Sequence, residues 1–158
     1  MRKLLLFLLI LPFLFVSCSD DDNDVAKSEI VGVWVTQSFS AKEVKTNNEN
    51  ATKAIKDDIK SMNEGEIEKL TAVFSNDGKL TLTDYDDNIS GTYSLTGDML
   101  TMVVGNETQV VPISLSGNTL KIYVDQTEYY QDVIDILLPN TKDVDVSKVI
   151  ETNTLKRK

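Results

Sequence analysis

The chain has 158 residues, enough for one domain and short for two. With 25 acidic residues against 16 basic and a formal net charge of −9, it repels nucleic-acid phosphates and anionic headgroups, which excludes both as partners of the folded part. The absence of histidine removes the commonest general base and the commonest zinc or copper ligand together.

Residues 1–17 follow the plan of a secretory signal peptide: Arg2 and Lys3, the apolar run from Leu4 to Val16, then the small Ser17 before Cys18. The thirteen residues of that run rise only about 20 Å at ~1.5 Å each, short of the ~30 Å hydrocarbon core, which argues against a membrane-spanning helix. Cys18 is the chain's single cysteine and can form no internal disulfide, so it is either a thiol left free near an ordinary cleavage site or an acylated residue. Ser17-Cys18 resembles the end of a bacterial lipobox, although Phe15 stands where that family usually has Leu. The resemblance implies that Cys18 becomes the lipidated first residue of an exported, outer-membrane protein. Two or three acyl chains such as palmitate hold stably, because each buried CH₂ contributes about 0.8 kcal/mol. Loss of Arg2 and Lys3 with the leader would leave 14 basic residues against 25 acidic, a net charge of −11.

Residues 18–29 read as an acidic tether, with aspartate at four of the five positions from Asp20 to Asp24. The eleven residues between Cys18 and Ile30 reach at most about 36 Å when extended. Acidic residues directly after the cysteine resemble a surface-export signal of some Gram-negative lipoproteins and equally suit a plain spacer, so periplasmic and surface placement both stay open.

Residues 30–158 form the folded domain. Ile30 to Ser38 is β-branched and suits a strand with Trp34 at its centre. A polar stretch follows, and then Ile55, Ile59 and Met62 at helical spacing predict a helix over about 51–63. Asn50 would cap it, Asp57, Asp58 and Lys60 would take its wet side, and Gly65 would mark its end.

Further along, the turns set the registers. A three-residue loop at Asn76-Asp77-Gly78 pairs Phe74 with Leu80 and Ala72 with Leu82, keeping apolar residues on one face, whereas a two-residue loop would mix both faces. Gly97-Asp98, Gly105-Asn106 and Gly117-Asn118 suit two-residue hairpins. Pairing outward opposes Leu95 to Leu100, Tyr93 to Met102, Leu115 to Leu120, Ile113 to Ile122 and Val111 to Val124; around Gly105-Asn106 it opposes Val104 to Glu107 and Met102 to Gln109, then Leu100 to Val111. After Val124 the period lengthens: Tyr130, Val133, Ile134, Leu137 and Leu138, between a capping Thr127 and Pro139, predict a helix over about 127–138. Asp143 to Ser147 reads as linker and Val149 to Arg157 as a last strand.

Eight strands are expected at about 30–38, 69–75, 79–84, 89–95, 99–104, 108–115, 119–124 and 149–157. The fold class is therefore mainly β: an eight-stranded antiparallel up-and-down barrel with two inserted helices, or alternatively an open antiparallel sheet covered by those helices. The inner face, and candidate cavity lining, comprises Phe74, Leu80, Leu82, Tyr93, Leu95, Leu100, Met102, Val111, Ile113, Leu115, Leu120, Ile122 and Val124.

Gly32-Val33-Trp34, the Phe74 to Gly78 hairpin, Gly91-Thr92-Tyr93 ahead of Gly97-Asp98, and Leu155-Lys156-Arg157 together resemble a lipocalin-like domain of bacterial lipoproteins, from Ile30 onward. The resemblance implies a calycin barrel in which Trp34 plugs the closed end, Arg157 lies across it as a cation–π partner, and Gly32 permits close packing. Two features depart from the family pattern: the 127–138 helix separates the last two strands, and the second lipocalin motif is not recognisable.

No catalytic constellation emerges, and no cofactor is implied. With Cys18 committed to an anchor, a serine nucleophile would need another base, and no spacing supplies one. Asp84-Tyr85-Asp86-Asp87-Asn88 begins like a calcium loop, but Ile89 replaces the required Gly and Leu95 the required Glu, so it reads as an acidic hairpin tip. The expectation is a non-enzymatic protein, anchored to the membrane through acyl chains. Either its barrel takes a small apolar or amphipathic molecule, or the barrel is a scaffold through which an accessory protein meets an envelope partner.

Overall fold

The structure, a computed structural model, describes residues 27–64, 70–84 and 87–158. The leader, Cys18, the tether through residue 26, the helix stop read at Gly65 and the tip at Tyr85-Asp86 lie outside the described residues.

Eight antiparallel strands close a barrel in chain order: β1 (Gly32–Thr46), β2 (Thr71–Phe74), β3 (Lys79–Asp84), β4 (Asp87–Thr96), β5 (Met99–Val104), β6 (Glu107–Ser116), β7 (Thr119–Asp125) and β8 (Val146–Arg157). Because β8 pairs back onto β1, the sheet has no free edge, and the open-sheet alternative falls away.

The hairpin registers follow the burial argument. Phe74 faces Leu80 and Ala72 faces Leu82 around Gly78, which has φ +83°. Leu95 faces Leu100, Tyr93 faces Met102, Leu100 faces Val111, Leu115 faces Leu120 and Ile113 faces Ile122. The β6–β7 ladder stops there, short of the expected pair Val111 and Val124. Ile113 donates its N–H to the Asp98 carbonyl on the β5 side (2.7 Å). Its neighbour Pro112 therefore turns a nitrogen that carries no proton toward β7, where the ladder cannot continue. On β4, Gly91 admits the adjacent strand: a Cβ there would lie 2.2 Å from the Val103 carbonyl oxygen.

Strands β1 and β8 are both longer than expected, absorbing the polar stretch after Ser38 and the end of the supposed linker. They pair along nearly their whole length, with register shifts between Thr36 and Ser38, Ala41 and Glu43, and Lys45 and Thr46. Each shift offsets the in-and-out alternation of side chains, bending the strand and hiding it from a period-two reading.

Three helices complete the described chain. α1 (Lys27–Ile30) is a single turn occupying the last of the supposed tether, and it carries a fully buried Ile30 where a strand was expected. α2 (Glu49–Ser61) begins two residues before the expected 51–63. Its cap is Asn48 rather than Asn50: the Asn48 side chain accepts from the N–H groups of Asn50 and Ala51, at 2.9 and 3.2 Å. Met62 lies past its end and is exposed. α3 (Thr127–Leu137) matches its expected span, but Thr127 is not its cap. The Asp125 carboxylate accepts from the Thr127 N–H (3.0 Å), while the Thr127 hydroxyl accepts from the Val149 N–H (2.9 Å) and ties the helix to β8.

Two apolar clusters result. One fills the barrel from Ile30 and Trp34 to Leu155. The other joins Ala51, Ile55 and Ile59 of α2, Tyr130 and Ile134 of α3, and Val146 and Val149 of β8. Both lie within the barrel domain, which therefore carries its own cores.

Candidate functional site

An up-and-down barrel has two distinct ends. The β2–β3, β4–β5 and β6–β7 turns gather with the start of β1 and the finish of β8; α2 and α3 lie at the other end with the β3–β4 and β5–β6 turns.

The first end is closed. Trp34 is fully buried, and its indole N–H donates to the Ile30 carbonyl (2.7 Å). The Arg157 guanidinium lies 4.5 Å from the Trp34 ring and donates from Nη1 to the Val31 carbonyl (3.0 Å) and from Nη2 to that of Glu29. Gly32 makes the approach possible: at φ +144° a side chain would be strained, and a Cβ would sit 3.4 Å from the Arg157 Nη1. Trp34, Arg157 and Gly32 thus come together, with α1 clasped beneath them.

Above this plug, the residues assigned to the inner face do converge. Phe74, Leu80, Tyr93, Leu100, Met102, Val111, Ile113, Leu120, Ile122 and Val124 are buried, while Leu82, Leu95 and Leu115 are partly buried against them. Tyr93 packs edge-on to Phe74, with ring centroids 4.9 Å apart, and donates its hydroxyl to the Ser75 carbonyl (2.9 Å). Packing varies along the axis. Trp34, Leu100 and Leu120 at the plug and Ala51, Ile55 and Tyr130 under the helices are 0 % exposed, whereas Met102, Ile122 and Val124 between them keep 8–9 %. At the plug end Leu95 and Leu115, opposite Leu100 and Leu120, are less buried than these three.

The mouth is covered unevenly. α2 packs on β1, α3 packs on β8, and the helices touch each other. Across the opening, Leu82 faces Ile89, the next pair after Leu80 and Gly91 on that face being directed inward as well. Ile89 is nevertheless 48 % exposed, so the β3–β4 side of the rim lies open and apolar.

Strand β8 contributes what the sequence reading missed. Leu155 faces Leu120, Asn153 faces Ile122 and Glu151 faces Val124, so all three point into the barrel. Glu151 and Asn153 are 6 % and 5 % exposed, and the Asn153 Oδ1 has no hydrogen-bond partner among the described residues. Burial, and then the nearby Asp58 carboxylate, push the Glu151 carboxyl up to about 7. Asp58, expected on the wet side of α2, is half-buried and accepts a hydrogen bond from the Tyr130 hydroxyl (3.1 Å). Burial, reinforced by Asp58, also raises the Tyr130 phenol. One signal could have found this strip: with Arg157 placed against Trp34, counting back by twos along β8 turns Leu155, Asn153 and Glu151 inward.

Two open clefts flank Arg157 outside the barrel. One of about 410 Å³ is lined by Val35, Gln37, Thr71, Lys156, Arg157 and Lys158; the other, of about 230 Å³, is lined by Glu29, Leu115, Gly117 and Arg157. Of the assigned inner-face residues only Leu115 borders either cleft.

Comparison with known proteins gives a family and a set of distant structures. A family model described as a lipocalin-like domain matches residues 30–122. Among solved structures, the chain is similar to a mutant of the fluorescent protein UnaG, at 13 % identity and a TM-score of 0.39, covering 84 % of this chain and 99 % of that one. It is also similar to fatty-acid-binding protein 1 of Echinococcus granulosus, at 12 % identity and a TM-score of 0.35, covering 82 % and 98 % of the respective chains. No curated protein matches it.

Proposed function

The chain belongs to the lipocalin-like domain family, and from that premise we propose that it is a lipid-anchored protein of the bacterial cell envelope whose barrel takes up a small apolar or amphipathic molecule. The observation that carries the reading is the continuous apolar inner face of a closed barrel, plugged at one end and exposing the apolar Ile89 on the rim of the other. Ligand sites of this kind are mostly apolar with a few placed polar groups, which Glu151 and Asn153 supply. Each methylene that leaves water for such an interior contributes about 0.8 kcal/mol, so a chain of modest length suffices for binding. The role is non-enzymatic: the barrel acts by enclosing its ligand.

The anchor rests on the sequence alone. A leader, a lone cysteine and an acidic tether support acylation at Cys18 and placement in the outer membrane, facing either the periplasm or the outside. Labelled palmitate should enter the full chain and fail to enter Cys18→Ser; equal labelling of both would remove the anchor.

Native mass spectrometry tests the ligand. The chain from residue 18 with Cys18→Ser, purified from a bacterial host, is expected to carry a small molecule that is lost on organic extraction and regained from envelope lipid. A bare mass before and after exposure would end this reading. A scaffold role is favoured by a different observation, the 78 % exposed Ile136 on α3. In that case Ile136→Glu should abolish a specific cross-link in intact envelopes, and an unchanged cross-linking pattern would count against it.

A further inference from the structure

The inner wall of the barrel is apolar on β5, β6 and β7 and polar on one strip of β8. That strip carries two buried acceptor groups. An ionised carboxylate only accepts hydrogen bonds, and the Asn153 Oδ1 is a second acceptor, buried and without a partner among the described residues. Residues two apart on a strand stand about 7 Å from each other on the same face, close enough for one small polar group to lie between Glu151 and Asn153. No lysine or arginine is among the buried residues described, and the charge acting on Glu151 is that of another carboxylate, Asp58. The interior thus offers a titratable carboxyl and a spare acceptor, with no lysine or arginine among the described buried residues beside them.

We propose that the ligand is an amphipathic amine: an apolar chain lying along the inner face of β5 to β7, with an ammonium group held between Glu151 and the Asn153 Oδ1. This rests on the interior-ligand reading above and sharpens it to one class. An ammonium brings three donors and the missing positive charge. An alcohol brings one donor and no charge. A carboxylate or phosphate head would bring a second negative charge beside Glu151, with no lysine or arginine among the described buried residues to offset it. The strip faces Val124 and Ile122 of β7, so an ammonium held there leaves the tail against the apolar inner face around Ile122 and Met102.

The test uses the chain from residue 18 with Cys18→Ser, stripped of lipid and loaded with the neutral fluorophore N-phenyl-1-naphthylamine. Dodecylamine, dodecanol and dodecanoate, each kept below its micelle concentration, are then compared as displacers. Dodecylamine should displace the probe at a concentration at least about tenfold lower than dodecanoate, with dodecanol between them, since charge-assisted hydrogen bonds are about twice as strong as neutral ones. In Glu151→Gln the amine and the acid should come within about twofold of each other while the probe still binds. General attraction of amines to an acidic surface survives that single change, so the collapse of the ratio reports on the buried strip. Asn153→Leu should weaken the amine by a smaller factor and provides a second variant. Dodecanoate equal to or better than dodecylamine on the unsubstituted interior would overturn the amine assignment and leave an interior ligand standing. Failure of the probe to bind, or of all three chains to displace it, would overturn both.

Discussion

Replacing Glu151 with glutamine is expected to stabilise the barrel at alkaline pH and to have much less effect in mild acid. In the folded chain the Glu151 carboxyl is pushed from an ordinary 4.5 up to about 7, first by burial and then by Asp58. At about 1.4 kcal/mol for each tenfold change in proton affinity, holding the ionised form inside the barrel costs about 3 kcal/mol. Below the unfolded value both states carry the proton and the cost is absent. As pH rises from 4.5 to about 7 the unfolded chain releases its proton first, so stability falls through that window and stays low above it. Glutamine keeps the shape and removes the charge. Its advantage should therefore be under about 1 kcal/mol at about pH 5 and approach 3 kcal/mol at about pH 8. Urea unfolding of both proteins at each pH measures it: with slopes of about 1 to 3 kcal/mol/M, the midpoint should shift by about 1 to 3 M at the higher pH and by much less at the lower. Glu43 and Asp77, lowered by their hydrogen bonds to Lys45 and Lys79, titrate below this window and do not obscure it. An equal shift at both pH values, or a native protein that gains stability from about pH 5 to 8, would refute the buried carboxylate as described.

Three further outcomes follow from the packing. In a double-mutant cycle of Trp34→Phe and Arg157→Ala, read by thermal or urea unfolding, the pair should show a coupling of about 0.5 to 2 kcal/mol; additive losses would separate the guanidinium from the indole. Gly91→Ala drives a Cβ into the Val103 carbonyl and should destabilise by about 1 to 3 kcal/mol, and an unaffected unfolding midpoint would mean that β4 and β5 are farther apart than described. Asn48→Ala should cost about 1 kcal/mol and Asn50→Ala much less, which calorimetry of the two variants distinguishes; the reverse order would return the cap of α2 to Asn50.

The hairpins around Gly78, Gly97 and Gly117 were legible because two signals agree there: a Gly-Asx or Asn-Asp-Gly turn sets the loop, and only one register buries apolar residues on one face. Where either signal fails, so does the reading. In β1 the bulges after Thr36 and Ala41 change the parity, so Phe39, Ala41 and Val44 look scattered rather than alternating. In β8 the inward positions Glu151 and Asn153 are polar, and polarity normally marks the outer face. The cap of α2 was displaced because Asn48 and Asn50 are equally good capping residues and only the backbone decides between them. The plug was readable only through the family resemblance of Gly32-Val33-Trp34, because its partner Arg157 comes from the far end of the chain. The polar strip became readable only once the partner of Arg157 was known.

The clasp of Arg157 on Val31 and Glu29 also fixes the direction from which the preceding chain reaches the barrel. α1 and the start of β1 lie at the plug, so the described chain begins at the bottom of the cup, opposite the rim at Ile89. If Cys18 is acylated as proposed, a barrel joined to the bilayer from its plugged end would present its rim on the far side, and cargo would reach it from the aqueous side or from a neighbour rather than from the lipid below.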